Sequence, residues 1–275
     1  EAKIIEGLTF RVNAGPDIRY NRIGNFRASK SNANRGGPAS ASLENEVDFG
    51  YTVENILNYS KSFGLNHSFQ ATLLQSIQGL RSEQHKSEVS NLPYESQLFY
   101  DIGTAEVKGN LSSRLEQWSL ASYMSRVNYD FMGKYLFQAT LRADGSSRLA
   151  PGRKWAYFPG GSIGWRLIEE GFLRNQSLIT ELKLRASYGQ VGNTSVDPYQ
   201  TLGRLRRTVY ALGDTPYLGF GLNEIPNSDL GWEISSTTNL GLDFGLFNNR
   251  LSGSLEYYIT HTTDILLERN LPYTS

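Results

Sequence analysis

Cysteine is absent from the 275 residues, so neither a disulfide framework nor a thiolate metal site fixes this fold. Histidine occurs three times, as His67, His85 and His261, too far apart for the spacing of a zinc site. No metal ligands are assigned, and no cofactor is expected. The chain also lacks a G-x-S-x-G nucleophile elbow, a phosphate loop and an HExxH helix. No residue reads as catalytic, and an enzyme is not expected. Twenty-seven basic residues balance 27 acidic ones, so no basic stripe points to nucleic acid. No run of about 18 apolar residues exists, which excludes a transmembrane helix and leaves a transmembrane barrel open. A barrel strand is apolar only at every second residue, so a mean hydropathy of −0.41 is compatible with a bilayer.

What is present is alternation, with many aromatics: 16 Tyr, 13 Phe and 4 Trp. In the stretch from Trp232 to Thr260, Leu240, Leu242, Phe244 and Leu246 alternate with Asn239, Gly241, Asp243 and Gly245. After Asn248-Asn249 the period of two resumes through Leu251, Leu255, Tyr257 and Ile259. A period of two marks a strand, and Asn-Asn tolerates the positive φ of a tight turn. Folding there sets Leu242 opposite Leu255, Leu240 opposite Tyr257 and Asp243 opposite Ser254, leaving one face apolar and the other polar.

The same pattern predicts seven earlier strands, over 7–20, 47–61, 65–78, 118–129, 135–144, 157–167 and 182–190. Two connections are read as three-residue hairpin loops with glycine last, Ser62-Phe63-Gly64 and Phe131-Met132-Gly133. They would set Leu57 opposite Phe69, Val53 opposite Leu73, Val127 opposite Phe137 and Tyr123 opposite Leu141. The segments 21–46, 79–117 and 191–231 read as long polar loops, with a short ordered piece near 98–100. A turn-rich loop covers 144–155, and 168–181 is a medium connection holding a helical turn near 171–175.

Long connections therefore fall at one end of the strands and short turns at the other, as in bacterial outer-membrane barrels. Strands of about nine residues and more suit a tilted span. The reading is an all-β antiparallel meander of about nine long strands, part of a larger transmembrane barrel. A soluble or surface carbohydrate-binding β-protein would alternate too, but its apolar face would pack on a second sheet. On the barrel reading, Arg142, Arg166, Lys183, Arg185, Asp243 and Glu256, with Glu54 and Gln70, line a wet lumen. Trp118, Tyr129, Tyr135, Trp155, Trp165, Trp232 and Tyr257 suit interface girdles. Tyr94, Tyr100, Tyr210 and Tyr217 lie in loops, where they could stack on sugar rings. Asp144 and Arg148 flank a Gly145-Ser146-Ser147 turn and are candidate loop or substrate contacts.

Several segments carry a resemblance. YLFQATLRADGSSRLAPGRKWAYFPGGSIGWRLIEE and LKLRASYGQVGN, with NSDLGWEISSTTNLGLDFGLFNNRLSGSLEYY after them, resemble the barrel of SusC/RagA-type TonB-linked outer-membrane proteins of Bacteroidetes. Asp144–Arg148, Trp155, Phe158-Pro159, Gly164-Trp165-Arg166, 183–189 and Gly192-Asn193 occupy that family's recurring signatures. The match spans about 129–260, with Gly160-Gly161 standing where the family often has serine. The resemblance implies a barrel of about 22 strands closed by an N-terminal plug. It also implies a SusD-like surface lipoprotein as lid, energy from TonB with ExbB and ExbD through the plug, and residence in outer-membrane lipid. Substrates would be glycan oligosaccharides, or peptides in some members. A siderophore or cobalamin receptor is the nearest alternative and would lack the SusD-like partner. Because the sequence starts mid-pattern and stops just after a strand, residues 1–275 are expected to be an internal barrel piece, with plug and closing strands outside.

Overall fold

The computed structural model describes residues 1–173, 176–213 and 215–268. It is all-β, and every strand pair with a described register is antiparallel. The strands are β1 (Ala2–Ile5), β2 (Leu8–Arg27), β3 (Ser40–Phe63), β4 (His67–Ser90), β5 (Val107–Phe131) and β6 (Tyr135–Ser146). They continue as β7 (Trp155–Arg166), β8 (Ile179–Asn193), β9 (Arg204–Leu212), β10 (Thr215–Glu224), β11 (Glu233–Leu246) and β12 (Leu251–Thr263). Ten of them form one sheet in chain order from β1 to β8, followed by β11 and β12, while β9 and β10 pair only with each other. The expected meander is this ten-stranded sheet, with β1 as one strand that the alternation did not announce.

The last hairpin has the register expected of it. Leu242 pairs with Leu255, Leu240 with Tyr257 and Asp243 with Ser254. Phe247, Asn248 and Asn249 all take positive φ in the turn. The two glycine hairpins are offset from expectation. Phe131 pairs with Tyr135, so Val127 faces Ala139 and Tyr123 faces Ala143. The Lys134 N–H closes the turn on the Phe131 carbonyl at 3.0 Å, with Met132 and Gly133 both left-handed. The glycine thus sits in the middle of the connection rather than at its end, and the register moves by two. In the earlier hairpin β3 ends at Phe63 and β4 begins at His67, which puts Gly64 first in the loop. Side-chain hydrogen bonds from Asn55 to Gln75 and from Thr72 to Asn58 fit a register that moves by four there. Both slips are even, so each side chain keeps its face although its partner changes.

The segments read as long polar loops are largely strand. β3 and β4 have 24 residues each and β5 has 25, well beyond the about 9–11 that a tilted span needs. A strand with water on both faces carries no period of two, so its polar stretch looks like loop in sequence. Ion pairs two residues apart on one face mark these stretches, as in Arg81–Glu83, Lys86–Glu88 and Arg114–Glu116. The segment 191–231 contains the β9–β10 hairpin. The expected helical turn is instead a 3-10 turn at Leu167–Glu169; residues 171–173 are turn, and 174 and 175 lie outside the described residues. The chain end at 271–275 lies outside them as well.

The chain divides into two compact units. One comprises Glu1–Asn13, Val53–Ile77 and Leu120–Ser275. The other comprises Ala14–Thr52 and Gln78–Ser119 and has its own small core of Ala39, Ala41, Val89, Leu92 and Ala105.

Candidate functional site

In the first unit the ladders align side chains into rows. Tyr129, Phe137, Ile163, Ala186, Leu240 and Tyr257 stand side by side across β5 to β8, β11 and β12. The adjacent row is Phe131, Tyr135, Trp165, Leu184, Leu242 and Leu255. This face is apolar and uncovered: Ile163 is 57% exposed, Leu255 65% and Tyr257 64%. Aromatics mark its two margins. At the short-turn end Phe131, Tyr135 and Trp165 stack in series at 6.2 and 6.3 Å between ring centroids, and His67 Nδ1 lies 2.7 Å from the Tyr129 hydroxyl. At the other end Tyr123 stacks on Trp155 at 6.0 Å. Trp155 and Trp165 bound β7 ten residues apart on the same face. That is roughly 33 Å along a strand, and about 25 Å once tilted by some 40°, the height of a lipid-facing band.

The alternate face is polar. Asn128, Gln138, Ser162, Ser187 and Asn239 form one row. In the next, Arg185 stands between Gly164 and Gly241. A Cβ at Gly241 would lie 2.7 Å from the Arg185 Cζ, so glycine is what allows the guanidinium to cross β11. Arg185 Nε donates to both oxygens of Asp243 at 3.2 and 3.3 Å, and Nη2 reaches Glu256 on β12. One cation thereby clamps three strands. Lys183 pairs across with Asp243 and with Arg166 in the ladder, and Arg166 donates to the Gly133 carbonyl at 3.2 Å.

The outer connections of this unit are packed. Leu149, Phe158 and Trp232 form a core joined by Leu120, Ala156, Val196, Leu230 and Ile234. Trp232 meets Phe158 edge-on at 5.3 Å, and its Nε1 donates to the Lys154 carbonyl at 2.9 Å. Trp232 therefore belongs to a loop core and not to an interface girdle, because residues 147–154 fold back over it. Asp144 is likewise 7% exposed, with both oxygens accepting from Arg142 Nε at 2.8 Å, while Arg142 Nη2 reaches Ser122. That engagement turns Asp144 to holding the rim rather than to meeting a ligand. The Arg148 N–H donates to Ser146 in the same turn. Trp118 is half-buried on β5 within the second unit.

Tyr210 and Tyr217 are directly opposite each other on the β9–β10 hairpin, and the Tyr210 ring lies across Gly219. In the second unit, connection 91–106 is tied to connection 28–39. The Ser29 N–H donates to Glu95 Oε1 at 3.0 Å, and the Ser29 hydroxyl donates to the same oxygen. These bonds, the hydroxyl's first, hold the Glu95 carboxyl below its ordinary range. Tyr94, half-turned to solvent, precedes Glu95. The Tyr100 N–H then closes a turn on the Gln97 carbonyl at 3.0 Å, with Leu98 at φ 54° and ψ −122°. This is the position of a tight turn that glycine fills without strain, and a side chain there costs about 1–3 kcal/mol. The turn sets the Phe99 ring over Gly24 and stacks Tyr100 on Phe99 at 4.5 Å, leaving Tyr100 72% exposed. The short ordered piece expected near 98–100 is this turn, but the sequence does not show that Phe99 backs Tyr100 or that Leu98 takes a positive φ.

At the short-turn end Glu170, in the connection after β7, accepts from the Tyr135 hydroxyl at 2.8 Å, Trp165 Nε1 at 3.1 Å and Lys134 Nζ at 3.2 Å. These donors, the tyrosine first, hold its carboxyl below the ordinary range. A depressed folded value means the anchoring is present above the ordinary carboxylate range and is lost as pH falls through the lowered value. Protection of 167–173 from hydrogen exchange, taken relative to the intrinsic rate at each pH, is therefore expected to fall only on strong acidification. Glu170→Gln should exchange fast at neutral pH and lose that dependence; an unchanged pH profile in the variant would remove the anchor.

Comparison with known families matches residues 5–275 to the family described as TonB dependent receptor-like, beta-barrel. A TonB-dependent receptor of Formosa agariphila is 35% identical over 98% of this chain and 27% of its own length. The TonB-dependent receptor SusC of Bacteroides thetaiotaomicron is 36% identical over 56% of this chain and 16% of its own. Among solved structures, the RagAB peptide transporter superposes over 98% of this chain and 30% of that one, with a TM-score of 0.88 at 23% identity, which shows a shared fold. The chain thus spans about a quarter of the length of the curated relatives it matches along most of its length. With residues 5–275 matched, it belongs to the TonB-dependent receptor-like β-barrel family.

Proposed function

We propose that these residues form wall and outer connections of a TonB-dependent outer-membrane importer of glycan oligosaccharides that works with a SusD-like surface lipoprotein. The plug, the closing strands and the site that engages TonB, ExbB and ExbD belong on this reading to the remainder of the polypeptide. The observation that carries it is the uncovered apolar face, about 25 Å tall between aromatic margins. A soluble sandwich would bury that face against a second sheet. Facing lipid, it needs no cover, and the Arg185–Asp243–Glu256 side then lines an interior wet enough to hydrate a sugar. Because strands must satisfy both lipid and ladder, discrimination among substrates falls to the outer connections.

The test isolates the native polypeptide, tagged in its source, from the outer-membrane fraction. The expected result is a mass several times 30.8 kDa with a co-purifying lipoprotein, and loss of oligosaccharide uptake when TonB is deleted. A polypeptide recovered from the soluble fraction would overturn the membrane assignment. Uptake of peptides alone would keep the importer and overturn the substrate class.

A further inference from the structure

The second unit holds an exposed aromatic whose arrangement exceeds what loop packing requires. Burial explains Phe99, which closes on Gly24 and touches the core of Ala39, Val89 and Leu92. It does not explain Tyr100, which stacks on Phe99 and yet presents most of its surface to water. Nor does it explain a leucine in a left-handed turn position where glycine would relax the backbone. Together these features fix the tyrosine ring in place before any ligand arrives.

We propose that Tyr100 is a stacking platform for one pyranose ring of an uncharged oligosaccharide, with Asp101 accepting hydrogen bonds from its hydroxyls. The proposal rests on the import reading and narrows its substrate class. A pyranose has a face of C–H bonds and a rim of hydroxyls. A held aromatic ring takes the face, and a neighbouring carboxylate takes the rim. Preorganisation matters because a ring already immobilised loses no freedom on binding. The segment's own charge disfavours acidic glycans: residues 91–106 contain Glu95, Asp101 and Glu106 and no Lys, Arg or His, and the cations that reach it, Lys30 and Lys108, lie toward Glu95 and toward the Gly103 and Ala105 carbonyls. Glu95 is engaged by Ser29 and Glu106 by Asn91, and Lys108 donates to the Gly103 and Ala105 carbonyls, which leaves Asp101 beside the platform.

The test uses the intact receptor purified in detergent, titrated calorimetrically with maltohexaose, cellohexaose, laminarihexaose and xylohexaose. At least one is expected to bind. Tyr100→Ala should then weaken it about tenfold or more, while Tyr100→Phe stays within about twofold. Heat-modifiable migration confirms that each variant is folded. Should Tyr100→Ala fail to fold, Asp101→Ala, which removes only the acceptor, should still weaken binding about threefold or more. Binding of none of the four, or binding indifferent to the folded variants, overturns the platform. Import is scored separately, by growth of the source and of a strain lacking the receptor on the same sugar. Tyr100-dependent binding without a growth defect overturns the import reading and keeps the platform. A growth defect with Tyr100-independent binding does the reverse.

Discussion

Leu141→Arg in the intact receptor is expected to lower its stability in phospholipid vesicles by about 2–4 kcal/mol. Leu141 lies on the apolar face of β6, opposite Ser125 and Pro159, and is half exposed. Tyr135 is six residues away on the same strand, and Gly145, beneath Trp155, is four away in the other direction. That puts Leu141 near the middle of the apolar band, where a guanidinium is farthest from water and has least scope to snorkel to either margin. Gln138→Arg supplies the control. It lies on the same strand but on the polar face, between Asn128 and Ser162, where water and polar side chains solvate a cation. Its effect should stay within about 0.5 kcal/mol. Urea titrations of vesicle-inserted protein measure both. Equal costs at 138 and 141 would mean that neither face meets lipid, and the barrel reading would fall with them.

That contrast depends on a face assignment that was legible from alternation alone. The β11–β12 register could be written down residue by residue because Asn248-Asn249 and the apolar alternation demand the same pairing. In the two glycine hairpins the alternation fixed the face but not the partner. An even slip leaves the pattern intact, and only the turn's own backbone decides it. At Phe131-Met132-Gly133 the sequence shows no reason for Met132 to take φ 58°; the hydrogen bond from Gly133 N–H to Asp130 Oδ1 helps hold it there. Strand length was legible only where an apolar period marks it, so β3, β4 and β5 read as half their extent. The β9–β10 hairpin was missed for a related reason. Leu205, Val209, Leu218, Phe220 and Leu222 do alternate, but they sit between arginines and glycines in a segment whose composition reads as loop. The site residues divide along the same line. Arg185, Asp243 and Glu256 lie together on one face, as their strand positions require. The engagement of Asp144 by Arg142, and the burial of Trp232, depend on how connections fold back, which no period records.

Trp232→Ala is therefore the substitution expected to disturb the outer connections most. The ring is 9% exposed and packs edge-on against Phe158, while its Nε1 donates to the Lys154 carbonyl. Gly192 lies beneath both rings, where a Cβ would strike them, so the pair fills the space that a side chain would otherwise occupy. Removing the indole opens a cavity in a close-packed core and takes one of two donors from the Lys154 carbonyl, which keeps the Ser146 N–H at 3.0 Å, at a cost of about 3–5 kcal/mol, most of it from the cavity. The loss should be local, because the strands below are held by their ladders and by the Arg185 clamp and do not rely on this core. Hydrogen exchange is expected to rise in 147–154 and 225–232, where the Ala150 N–H bonds the Leu230 carbonyl at 3.1 Å and Arg153 meets Asp229 at 3.3 Å. Protection in β6, β8 and β11 should be retained. Trp232→Phe, which refills much of the volume but cannot donate to Lys154, should recover most of the packing and lose only that one hydrogen bond. Global unfolding by Trp232→Ala, with β8 and β11 losing protection together with the connections, would show that the outer core and the wall are one cooperative unit rather than a cap standing on an independent sheet.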